Sequence, residues 1–173
     1  MNRHYVNAIC RRLAVDRVIT RRQGADGELV NALALPGDQG RSPLEELWPL
    51  EITNLSEGDA RSAAEIAWKV TAKLEVSTSR TQIVAGSTFL HHLLPDLLPP
   101  IDRQYTFSFF TGQKAVVSDR MAFLAWLPLF ADIGSRCRVP IEEAIRRGGC
   151  MATGQAKVID NAVVGFMARV DHG

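Results

Sequence analysis

The chain has 173 residues, 46% hydrophobic and 23% charged, with a formal net charge of +1. That length suits one domain with a sizeable core, and the composition is ordinary for a globular protein, which excludes wholesale disorder. The longest apolar run, Met121 to Ala131, falls well short of the ~18 residues a membrane helix needs, so no membrane partner is expected.

The opening residues carry no long apolar stretch ahead of a small-residue cleavage site, so no secretory leader is expected. Three widely spaced cysteines, Cys10, Cys137 and Cys150, match neither a disulfide framework nor a zinc pattern. They are expected to be reduced thiols, buried or half-buried, in a cytoplasmic protein.

In chain order, residues 1–23 form a basic N-terminal helix, with Val6, Ile9, Cys10 and Leu13 on one stripe. Gly24 to Gly27 break it. Ser42-Pro43-Leu44-Glu45 reads as a helix start, and Pro49 keeps that helix short. Ser56 opens a longer helix in which Ala64, Trp68, Thr71 and Ala72 share one face. A helix from Thr81 to Leu94 ends at Pro95. The chain re-enters helix at Asp102 and stops at Gly112, which suits a left-handed cap. Ser118-Asp119 open the apolar helix of Met121 to Ile133, with Pro128 inside it. A short helix begins at Pro140 and ends before Gly148-Gly149. The last helix carries Val158, Ile159, Ala162, Val163, Phe166, Met167 and Val170 on one stripe, with Lys157, Asp160, Asn161 and Arg169 on other faces. No segment alternates long enough for a strand. The expected fold is all-α: a single compact domain over 1–173 with seven or eight helices, in which 81–112 is a helix-loop-helix unit.

Charge is uneven. Residues 1–23 hold six arginines against one acid, while residues 24–75 hold ten acids against four bases. The basic segment therefore suits either an anionic partner or the chain's own acidic middle. Phosphate-binding loops, dinucleotide fingerprints, nucleophile elbows, C-x-x-C pairs and H-E-x-x-H are all absent from the sequence. No cofactor is called for. His91 and His92 point about 100° apart on a helix and would not chelate one metal, so a core-edge or helix-end role is expected. Phe107, Phe109, Phe110, Phe123, Trp126 and Phe130 read as core aromatics.

The stretch "TFLHHLLPDLLPPIDRQYTFSFF" gives helix, proline-rich loop, Pro100-Ile101-Asp102 and helix in that order. It resembles an uncharacterised bacterial and plant family with the wording "LHFLLPDLxPPxDRxYT". More distantly it is similar to helix-hairpin-helix DNA glycosylases, whose Pro-x-Asp aspartate stabilises the sugar cation and activates water. That similarity implies a glycosylase-like helical fold and a catalytic role for Asp102; on that hypothesis Arg11, Arg12, Arg80 and Arg103 are expected to make the nucleic-acid contacts. The chain departs from the pattern: only Gly86 of the DNA-anchoring L-P-G-x-G hairpin is kept, and Ser87 and Thr88 stand where bifunctional members place a lysine. Asp102 serves equally well as a helix N-cap. Two readings stay open: a degenerate glycosylase-like domain with weak nucleic-acid binding, and a non-enzymatic helical domain that contacts another protein or itself.

Overall fold

A computed structural model describes residues 43–73, 82–113, 118–149 and 152–170. Among these the protein is all-helical, with no strand. The N-terminal basic helix, Arg11, Arg12, Arg80, Cys10 and Cys150 lie outside the described residues. We label the helices α1 (Pro43–Leu47), α2 (Glu57–Lys73), α3 (Gln82–Leu93), α4 (Thr106–Thr111), α5 (Asp119–Arg136), α6 (Arg138–Arg147) and α7 (Gln155–Val170); a 3-10 turn covers Ile52–Asn54 between α1 and α2.

Most of these starts follow local chemistry. Ser56 accepts from the Asp59 amide at 3.1 Å and donates to its carboxylate at 2.6 Å, a reciprocal cap at the head of α2. Ser118 accepts from the Met121 amide and opens α5. Gly112 closes α4 at φ 68°, where a Cβ would be strained. Pro128 sits inside α5, as the sequence suggests.

Helix α5 is the hub. It packs along α2, the 3-10 turn, α3, α6 and α7. Its buried side chains Phe123, Trp126, Leu127 and Phe130 meet Ala60, Ala63, Ala64, Ala67 and Val70 in one continuous core. The alanine seam on α2 lets the larger α5 side chains approach closely. That seam is rotated from the sequence expectation: Thr71 is buried, but Ala72 is exposed and Trp68 only half-buried. Trp126 packs edge-on to Phe107 and stacks on Phe110, and Phe110 meets Phe130 edge-on, so these aromatics serve the core.

The structure adds to or departs from the sequence reading at four points. Cys137 is exposed at the end of α5, because the α5–α6 junction turns it away from the core. Asp160 belongs to the buried seam of α7 with Ala156, Ile159 and Val163. Phe166 and Val170, further along the same helix, are exposed. The helix after the proline-rich loop begins at Thr106, not Asp102, with residues 103–105 forming a turn.

Candidate functional site around the proline-rich loop

Helix α3 positions the loop. Ile83, Phe89, Leu90 and Leu93 bury its apolar side, and Asp119 at the start of α5 accepts from the Ile83 amide at 3.1 Å. That carboxylate satisfies one of the orphan amides at the α3 start. At the far end Leu94 leaves the helix ahead of Pro95, as a residue before proline must in most contexts.

The loop from Leu94 to Ile101 is held along its whole length. Ile52 donates its amide to the Asp96 carbonyl at 2.9 Å. The Asp96 carboxylate accepts from the Gln155 amide at 2.9 Å, so it caps α7 across 59 residues of chain. Ala156 donates to the Pro95 carbonyl at 3.2 Å. Thr53 donates its hydroxyl to the Gln155 side-chain oxygen at 2.7 Å. Gly154 is required at this junction: a Cβ there would stand 2.5 Å from the Pro95 carbonyl oxygen.

Ser87 has a positional job. Its hydroxyl donates to Val84 at 3.1 Å and accepts from the Ile101 amide at 2.9 Å, one residue before Asp102. His91 ties the middle of the loop, with Nδ1 donating to the Leu98 carbonyl at 2.7 Å. A carbonyl can only accept, so Nδ1 carries the proton. Burial pushes the His91 imidazole down to about 4; the Leu98 bond pulls upward, the His92 and Lys157 charges push down, and Asp96 pulls up. His91 is thus a neutral core-edge residue at neutral pH. His92 is exposed and bonds Thr88 one turn back at 2.7 Å.

Asp102 is half-buried at the mouth of this unit. One oxygen accepts from the Tyr105 amide at 2.7 Å and the other from the Thr106 hydroxyl at 3.2 Å. The Asp102 amide in turn donates to the same hydroxyl at 3.3 Å. This side chain caps the turn, not a helix starting at residue 102. Arg103 beside it is exposed.

A second carboxylate stands close by. Asp160 on α7 is only 3% exposed and accepts from Lys157 at 2.6 Å. Burial raises its pKa above the usual carboxyl range, the Lys157 bond and charge oppose that, and the Asp102 charge adds to the rise. Asp102, Asp160, Lys157 and His91 thus influence one another through charge between the loop and α7, with Lys157 and Asp160 in direct contact. Sequence reading missed the roles of Asp160 and Lys157 because the helix stripe put both on other faces, and that of Asp96 because its partner Gln155 lies 59 residues away.

Among the described residues no group of three or more His, Cys, Asp or Glu could hold a metal. No helix there is long and apolar enough to cross a membrane. Most described arginines engage nearby acids: Arg61 with Glu57, Arg120 with Glu65, Arg136 with Asp132, Arg138 with Glu142 and Arg147 with Glu143. A cavity of about 200 Å³ lies at the other end of the loop, lined by Trp48, Leu50 and the segment 93–97.

The fold and this site define an all-helical domain built around an anchored Pro-x-Asp loop. No protein-family model, curated protein or solved structure matches the chain.

Proposed function

We propose that this chain is a degenerate glycosylase-like domain that binds nucleic acid weakly and does not cleave it. The observation that carries the reading is the anchored helix-loop-helix unit, which presents half-buried Asp102 next to exposed Arg103. Both Asp102 oxygens hold the turn together, a structural role that needs no substrate. Arg11, Arg12, Arg80 and Arg103 supply the phosphate contacts.

The test is fluorescence anisotropy with a labelled duplex carrying an abasic-site analogue, at ~50 and ~200 mM salt. Binding should weaken at the higher salt, weaken again in Arg11→Ala/Arg12→Ala and Arg103→Ala, and persist in Asp102→Asn. Asp102→Ala should lower stability by about 1 kcal/mol, the usual scale of a lost cap, whereas Asp102→Asn keeps an acceptor oxygen for the Tyr105 amide. Absence of binding at the lower salt sinks the reading. Release of a damaged base by wild type but not by Asp102→Asn would overturn the non-catalytic part alone.

A second reading rests on a different observation. Phe166 and Val170, one turn apart on α7, are each 56% exposed, and the Phe166 ring sits 5.8 Å from that of Phe109. Exposed apolar groups clustered in this way suit a protein contact. Under this reading the protein self-associates at high concentration and Phe166→Asp returns it to monomer. Sedimentation equilibrium showing a monomer for both forms would remove that support.

A further inference from the structure

Helix α7 runs across the whole helix-loop-helix unit. Its first residues meet the loop and the 3-10 turn: Gln155 donates to Asp96, Ala156 donates to the Pro95 carbonyl, and Thr53 donates to the Gln155 side chain. Its middle brings Asp160 near enough to Asp102 for the two charges to interact. Towards its end the Phe166 ring meets Phe109 of α4, with centroids 5.8 Å apart. Between these points Ile159 seats against Gly134 of α5, where a Cβ would stand 3.2 Å from its Cδ1.

The packing of α7 is thin beside that of α5. Its buried residues are Ala156, Ile159, Asp160 and Val163, and only Ile159 and Val163 among them are large and apolar. Asp160 goes in with Lys157 of the same helix, and a buried ion pair returns little net stability because both charges lose water. Burial raises the Asp160 pKa in spite of Lys157, so desolvation outweighs the pairing. The large apolar groups further along, Phe166 and Val170, stay 56% exposed and contribute little burial. By contrast α5 buries Phe123, Trp126, Leu127 and Phe130 in the centre of the core.

We infer that α7 is a strap that opens as one unit, short of global unfolding, and that the bond between Asp96 and Gln155 is its latch. Local opening of this kind draws on elements with few buried apolar contacts. Once free, a helix of 16 residues is marginal in water, so its amides lose their hydrogen bonds together. The loop stays behind in its present shape, because Ser87 holds Ile101, His91 holds Leu98 and Ile52 holds the Asp96 carbonyl without help from α7. Opening uncovers the 3-10 turn, the α7 side of the loop and Phe109. A ligand that recognises this face binds the open form alone, with its affinity reduced by the fraction open. The inference goes beyond the nucleic-acid reading and does not depend on it.

The experiment is amide hydrogen exchange of the full chain, read residue by residue by nuclear magnetic resonance at several low urea concentrations. In wild type the α7 amides from Ile159 to Gly165 should share one opening constant. It should exceed that of the α5 amides from Phe123 to Leu127 by about tenfold or more. It should also respond to urea less steeply, because opening exposes less surface than unfolding does. Asp96→Ala removes the latch and should raise the α7 constant about tenfold, the scale of a hydrogen bond to a charged group. Gly86→Ala crowds Thr71 between α2 and α3, a contact that persists in the open form. It should raise the α5 constant several-fold and leave that of α7 unchanged. The inference is overturned if α7 and α5 share one constant and one urea dependence, if Gly86→Ala raises both alike, or if Asp96→Ala leaves α7 unmoved.

Discussion

Gly86→Ala will destabilise the protein by about 1–2 kcal/mol, the cost of overpacking a tight contact less the helix preference of alanine. A Cβ at residue 86 would stand 2.2 Å from the Thr71 methyl and 3.2 Å from both its Cβ and its hydroxyl. Thr71 is β-branched and stiff within α2, so the clash is relieved by moving α2 and α3 apart. The Thr71 hydroxyl is buried and has no hydrogen-bond partner, so Thr71→Ala removes both the obstruction and a poorly satisfied polar group. In a Thr71→Ala background Gly86→Ala should then be close to neutral. Urea unfolding of the four proteins measures this coupling. An equal loss in both backgrounds would show that something other than the Thr71 contact limits residue 86.

The second large effect is a loss of stability on acidification. His91 ionises at about 4 in the folded protein, against 6.5 for the free side chain. Between those values the unfolded chain takes up the proton and the folded one does not. The His91 contribution is therefore complete above pH 6.5 and lost as pH falls toward 4. Its size is about 3 kcal/mol at one pKa unit per 1.36 kcal/mol. Asp160 acts in the other sense: its pKa is raised, so its contribution is larger in acid and falls as pH rises through the folded value. Comparing wild type with His91→Asn by urea unfolding from pH 7.5 to 4.5 isolates the histidine. The Asn amide can still donate to Leu98, and the difference between the two proteins should narrow toward acid. A constant difference would show that His91 is not neutral in the folded state.

How much of this was legible in the sequence depends on how local the physics is. Ser56, Ser118 and Gly112 announce helix ends because a cap acts within three or four residues. The all-helical class follows from such local signals and from apolar spacing. Asp102 was visible through its proline context, but its helix start was placed four residues early. The Thr106 hydroxyl joins the capping set and turns residues 103–105 into a separate turn, which a pattern of residue types does not convey. Asp160 was placed on the wrong side because an apolar stripe treats every carboxylate as solvent-facing, whereas Lys157 accompanies this one into the interior. The role of Asp96 depends on Gln155 arriving from far along the chain, and no local pattern encodes that meeting.

The junction of residues 52–53, 95–96 and 154–156 also bears on the order in which the chain folds. Its defining bonds span 59 and 102 residues, and contacts so distant in sequence carry a large loop-closure entropy. The caps of α2 and α5 can close while the chain is short. The Asp96 carboxylate and the Thr53 hydroxyl lack this partner until Gln155 has been synthesised and docked. During translation the Pro-x-Asp loop can thus close its Ser87 and His91 bonds early, while its Gln155 anchor fills late, when α7 seats. A lesion at the head of α7 would be felt at both ends of the loop at once.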